Sequence, residues 1–183
     1  MEAFGKEGIL ARLRQLDNDL LSVIDEDVKV EITIVGGSAL LLLGLAQESR
    51  MTTDIDVMEA AYQAEAIMER YDMNQHVETF LYTLPERWRE RRQKIPFNGA
   101  ILDVYAPSNE DFAILKLYAN RDIDRIDLDE MLISGHLDID WLLAIVNDDV
   151  EVRVNFEDDE KWQQFPGLVY ALASREMPTG EMQ

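Results

Sequence analysis

The sequence predicts an α+β fold. Residues 1–106 read as a small sheet with flanking helices, and residues 107–183 as a helical region packed on it. Three observations lead there. Helical and strand-like stretches alternate up to residue 106, the periodicity beyond Pro107 is helical only, and no Pro/Gly/Ser-rich linker separates the two parts.

The elements follow in order. Ile9, Leu10, Leu13, Leu16, Leu20, Leu21 and Ile24 recur at helical spacing, which predicts a helix over about residues 6–25. Val28, Val30, Ile32 and Ile34 alternate as in a strand, and Gly36-Gly37 ends it. "SALLLLGL" is short and apolar and predicts a buried helix beginning near Ser38. "TTDIDVM" (52–58) is β-branched and alternating, a second strand, and "EAAYQAEAIMERYD" (59–72) is a helix with Ala61, Ala64, Ile67, Met68 and Tyr71 on one side. "ETFLYTL" (78–84) is a further strand candidate, "PERWRERRQK" (85–94) a loop or short helix, and "AILDVYA" (100–106) a strand. Ser108 and Asp111 form a capping-box pattern for a helix over 109–121. Helices are expected at 123–134 and 138–148, "VEVRVNF" (150–156) fits helix or strand, and Pro166 is expected to break the helical run from 157 to 177.

Composition narrows the function classes. There is no cysteine, so disulfide frameworks and thiolate metal sites are excluded. The opening "MEAFGKEGIL" does not read as a signal peptide and "ALLLLGLA" is too short to span a bilayer, so the expectation is a cytoplasmic protein with no membrane partner. The net charge of −20 repels nucleic acid and anionic membrane at long range and argues against a general DNA or RNA binder. The cations are unevenly spread: Glu86 to Lys94 holds five of the seventeen.

The chemistry concentrates in "VGGSALLLLGLAQESRMTTDIDV". Side chains alternate along a strand, so Asp54 and Asp56 share a face, with Cα atoms roughly 6.6–7 Å apart. Two carboxylates at that spacing suit one hard cation or a close pair, Mg²⁺ or Mn²⁺. Asp103 in "AILDVYA" is a third acid in an apolar strand, where aspartate is disfavoured. Gly36 and Gly37 let phosphate oxygens approach the backbone at a helix N-terminus, and Ser38 adds a hydroxyl. The pattern fits metal-dependent transfer of a phosphoryl or nucleotidyl group.

At these residues the sequence resembles the minimal nucleotidyltransferase superfamily of the polymerase-β-like fold, whose signature is a Gly-Gly or Gly-Ser turn, a short helix, an Asp-x-Asp strand and a later third acid. Arg50, Thr52, Asp54 and Asp56 also show the Arg-x-Thr-x-Asp-x-Asp pattern of the AbiEii-like nucleotidyltransferase toxins and their uncharacterised relatives. "LKLYANRDIDRIDLDEM" is similar to a segment of that branch through Lys116, Leu117, Ala119, Arg121, Asp124, Asp127 and Leu128. The likeness covers about residues 32–134. It implies a small mixed sheet and an enzyme that transfers a nucleoside monophosphate from an NTP to an RNA such as tRNA, or to a protein, with a cognate toxin or antitoxin as partner. Asp54, Asp56 and Asp103 would hold the metal and serve catalysis. Gly36, Gly37, Ser38, Arg50 and Lys116 would bind the nucleotide. The alternative is a non-catalytic member of the fold, such as an antitoxin, acting by protein–protein binding.

Some residues carry two readings. Lys116 either snorkels from an apolar helix or contacts phosphate. Arg87, Arg89, Arg91 and Arg92 either grip an acceptor, with Trp88 stacking on a base, or pair with the chain's own acids. Arg121 with Asp124 and Asp127 is expected to form supporting ion pairs. His76 and His136 lack metal-ligand company, and Asp138-x-Asp140 reads as a helix N-terminus.

Overall fold

The structure is a computed structural model that describes residues 2–77, 83–148 and 160–176. The fold is α+β: a five-stranded mixed sheet with flanking helices and a helical C-terminal part. The chain divides into two compact units. One comprises Met1–Leu81 with Arg89–Ser108, the other Tyr82–Trp88 with Asn109–Gln183.

In the first unit, helix α1 (Lys6–Leu21) buries Ile9, Leu13, Leu16 and Leu20, one face at i, i+4, i+7 and i+11. Strand β1 (Val30–Ile34) leads into helix α2 (Gly36–Leu43), and β2 (Ile55–Ala60) into helix α3 (Tyr62–Met68). Two-residue strands β3 (Met73–Asn74) and β4 (Gln93–Lys94) and the longer β5 (Leu102–Ala106) complete the sheet. The spatial order is β3-β2-β1-β5-β4. Strand β1 runs antiparallel to β2 and parallel to β5, β2 parallel to β3, and β4 antiparallel to β5.

One irregularity sets which side chains face together. Thr33 pairs with Glu59 but Ile34 pairs with Val57, so Met58 is an extra residue in β2. This bulge puts Asp56 and Glu59, three positions apart, on the same face. Ile55 and Val57 stay on the other face, fully buried. The registers Glu31↔Asp103 and Thr33↔Tyr105 place those four residues on the face of Glu59 and Asp56. The sheet therefore has one aliphatic side and one polar side.

Asp17 ties α1 to β5. It sits on the helix's apolar stripe, is buried, and accepts three backbone N–H groups: Ala100 at 2.8 Å, Ile101 at 3.0 Å and Leu102 at 2.8 Å. One carboxylate thus satisfies the donors that open the strand.

The second unit is helical: α4 (Asn109–Ala119), α5 (Asp122–Ile133), α6 (Ile139–Asp148) and α7 (Glu160–Glu176). Its interior holds Phe112, Ile114, Met131, Leu142, Phe165 and Val169. Pro166 does not break the last helix, against expectation, but lies inside it. A proline there removes one hydrogen bond and crowds the preceding turn. Burial of Phe165, Val169 and Leu172 along one face outweighs that loss.

Other boundaries shift. The buried helix begins at Gly36 rather than Ser38, because the turn glycines themselves take the first helical positions. The second strand runs to Ala60, since Glu59 and Ala60 pair with β1 instead of opening the next helix. The expected strand at 78–84 falls mostly on 78–82, which lie outside the described residues, as do 150–156 and the tail. Among the described residues no helix is long and apolar enough to cross a membrane.

Asp17→Ala should lower unfolding stability by about 3 kcal/mol, because it strands three backbone donors at a buried strand start. Urea denaturation measures it. A loss under about 1 kcal/mol would show that those donors find other partners.

Candidate active site

The site is built where β1 ends. Val35 N–H still bonds to the Asp56 carbonyl at 2.9 Å, and then Gly36 turns the chain at φ +66. A Cβ on Gly36 would lie 2.7 Å from Asp56 Oδ2. A Cβ on Gly37 would lie 2.8 Å from Arg50 Nη2 and 2.9 Å from its Nε. The two glycines therefore let bare backbone lie against both a carboxylate and a guanidinium. Helix α2 starts there with Val35 at its N-cap and no capping side chain. Valine is a poor cap, so its own side chain satisfies none of the first-turn N–H groups.

Asp54 is held from several sides. Its carbonyl accepts Ser38 Oγ at 2.8 Å and Thr52 Oγ1 at 3.0 Å. Thr52 is itself bridged to Phe4, through N–H···O bonds of 2.8 and 3.0 Å. Ser38 is buried, and its hydroxyl proton fixes the Asp54 backbone to the turn; the phosphate donor implied by the resemblance is thereby a strut. The Asp54 carboxylate accepts Asn74 Nδ2 at 3.3 Å. Ile55 N–H bonds to the Asp72 carbonyl at 2.8 Å, and the Asp72 side chain takes Arg12 from α1 at 2.8 and 3.0 Å. Helix, turn and neighbouring strand all converge on one dipeptide.

Asp103 lies elsewhere on the polar face. It stands opposite Glu31, while Asp56 bonds to Val35, four residues further along β1. That offset is about 13 Å at the rise of a strand. Lys94 Nζ sits 2.9 Å from Asp103 Oδ1, and this hydrogen bond raises the lysine above its ordinary value. Among the described residues no group of three or more acids or histidines is gathered so as to hold a metal ion.

The basic segment covers that far end. Arg89 pairs with Glu59. Arg92 reaches Thr33 Oγ1 at 3.0 Å and Glu31 Oε2 at 3.2 Å, with its guanidinium 4.7 Å over the Tyr105 ring. With Lys94 on Asp103, the stretch is a cationic strap on an acidic sheet face. Arg91 is half-buried and has polar or charged interactions of its own. Arg87, in the other unit, is exposed with φ +63. Trp88 is only 4% exposed, so its ring is core rather than the stacking platform expected for an acceptor base.

Lys116 is buried in the helical unit. Its amine lies 2.8 Å from Asp124 and 2.6 Å from Asp127, and Asp124 also binds Arg121 at 2.7 Å and accepts the Arg121 N–H at 3.2 Å. Lys116 is thus engaged with two carboxylates, where the resemblance implied a nucleotide. Burial pushes Asp124 up, but the Arg121 hydrogen bond and the Lys116 charge outweigh it and hold the carboxyl below its ordinary range.

Reasoning from sequence missed Asn74, Asp17 and the Arg12–Asp72 pair. Asn74 lies in a two-residue strand with no pattern to flag it. Asp17 alone left a trace, as an acid on the apolar stripe of Leu13, Leu16 and Leu20.

A small mixed sheet with a glycine turn packed against an Asp-x-Asp segment is compatible with a nucleotidyltransferase fold. A family described as a nucleotidyltransferase of unknown function (DUF6036) matches residues 11–176, and the chain belongs to it. No curated protein and no solved structure matches the chain.

Two outcomes follow from this geometry. Gly36→Ala should cost about 1–3 kcal/mol of left-handed strain, plus the contact with Asp56. Gly44 has φ +73 and open space around it, so Gly44→Ala carries the strain alone. The difference between the two in chemical denaturation isolates the contact, and equal losses would mean that Asp56 moves freely.

Lys116→Met should cost about 3–5 kcal/mol at neutral pH, because it removes the buried ammonium that both carboxylates share. In the parent, the depressed Asp124 contributes stability above its unfolded value, about 3.9, which is lost as pH falls through the lower folded value. The variant lacks that stabilising charge, so the two stability curves should converge toward acid pH.

Proposed function

We propose that this protein is a metal-dependent nucleotidyltransferase that moves a nucleoside monophosphate from an NTP to an acceptor hydroxyl. The single observation that carries the reading is bare Gly36–Gly37 backbone lying close against Asp56 and Arg50 at the start of α2, which no side chain of its N-cap residue caps. An anionic triphosphate fits a place where helix dipole and guanidinium add, and glycine lets its oxygens approach the backbone.

Asp54 and Asp56 fit a divalent cation: Mg²⁺ is usually held by one or two carboxylates, with substrate phosphates and water completing its shell. When bound, Mg²⁺ or Mn²⁺ supplies charge neutralisation at the phosphates. The chain's own residues do the rest. Asp54 and Asp56 hold the metal, Gly36 and Gly37 accept the triphosphate against the backbone, and Arg50 balances its charge. Ser38, Thr52 and Asn74 keep Asp54 in place. In the reaction the acceptor oxygen bonds to the α-phosphorus, the α–β bridging bond breaks, pyrophosphate leaves, and the hydroxyl proton passes to a general base.

We favour a protein acceptor over RNA. The densest cationic segment is spent on Glu59, Glu31 and Asp103, and the net charge is −20. A role as the toxin of a toxin–antitoxin pair rests on the sequence resemblance alone. The second reading, a non-catalytic partner protein, is separated by the same experiment.

Incubation with α-labelled NTPs, Mg²⁺ or Mn²⁺ and cell extract should label protein. Asp54→Asn and Asp56→Asn should each reduce labelling by about a hundredfold or more while remaining folded. Labelled RNA with steep salt dependence would reverse the acceptor assignment. A folded parent that labels nothing with any NTP would favour the partner reading.

A further inference from the structure

We propose that the third polar group of this site is the amide of Asn74, acting as a positioning residue for Asp54, and that Asp103 is not a metal ligand but the anchor of the cationic strap. The inference rests on the reading of Asp54 and Asp56 as the metal-holding pair.

Three observations carry it. Strand β3 runs parallel to β2 with Ile55 opposite Met73 and Asp56 opposite Asn74, so Asn74 stands beside Asp56 on the polar face. Its Nδ2 donates to Asp54 Oδ2 at 3.3 Å. Its Oδ1 accepts the His76 N–H at 3.0 Å, an Asx-type turn. That second bond fixes which end of the amide faces which neighbour: the oxygen is claimed by a donor, so the NH₂ must point to the carboxylate. Asn74 therefore holds one Asp54 oxygen and leaves the other to a ligand.

Asp103 has the opposite situation. It is about four strand residues, roughly 13 Å, from the pair, and its carboxylate already faces Lys94 at 2.9 Å. One ion, or two a few ångströms apart, cannot span that gap. An amide in the third place also changes the charge balance. Two carboxylates and one divalent cation sum to zero, whereas a third carboxylate would leave an excess negative charge facing the triphosphate.

The test is Mn²⁺ binding to the full-length protein, read by the loss of the free-ion paramagnetic resonance signal, with the metal-free melting temperature taken alongside. The parent should bind, and Asp54→Asn should abolish it. Asn74→Ala should need about tenfold more Mn²⁺, the usual cost of losing an outer-shell partner, with the metal-free melting temperature little changed. Asp103→Asn should bind as the parent does.

Parent-like binding by folded Asn74→Ala overturns the role of Asn74. Binding lost in Asp103→Asn as fully as in Asp54→Asn overturns the assignment of Asp103, an arm that stands even if Asn74→Ala does not fold. A parent that binds no Mn²⁺ instead sinks the metal reading itself, and the inference with it.

Discussion

The glycine-turn end of the sheet depends on backbone without side chains at Gly36 and Gly37. Asp56 and Arg50 approach that backbone so closely that a single methyl on either residue would meet them at under 3 Å. A carboxylate and a guanidinium are thereby brought against the same short stretch of bare backbone, where any side chain would push them away. The struts from Ser38, Thr52 and Arg12 hold the Asp54–Asp56 segment in that position.

The same logic of managed charge runs through the molecule. A chain with 37 acids and 17 lysines and arginines cannot pair every carboxylate, so where the cations go is informative. Arg89, Arg92 and Lys94 sit on Glu59, Glu31 and Asp103, at the end of the polar face away from the glycine turn. Lys116 and Arg121 are committed to Asp124 and Asp127 inside the helical unit. Buried ion groups of this kind are costly to break and add little net stability, so they act as locks on geometry more than as a source of it.

Much of this was legible in the sequence because it follows from period and residue type. Alternating Val and Ile gave β1, and the leucine spacing gave α1. Gly-Gly followed by Asp-x-Asp pointed to the turn and to the segment packed against it. What was not legible depends on contacts between segments. Strands β3 and β4 have two residues each, too short for any alternation, and they bring in Asn74 and Lys94. The tryptophan in a run of arginines looked like a surface residue by its neighbours, yet Trp88 is buried. Pro166 obeyed tertiary burial instead of local propensity. Asp103 was recognised as an acid in a strand, but strand membership says nothing of height along the sheet, which only register with β1 supplies.

The extra residue at Met58 has a consequence of its own. It acts like a phase shift in a two-beat rhythm: the part of β2 beyond it and the part before it are out of step, and both halves happen to present acids to the same side. A strand without it would set Asp56 and Glu59 two positions apart, and a regular ladder would still carry both on one face. A strand that kept Met58 but lost the bulge is another matter: with Glu59 and Ala60 in register against β1, Asp56 would turn toward the aliphatic layer and Ile55 and Val57 toward water. Among descendants of this sequence, then, the bulge and the residue that fills it should be kept together or lost together.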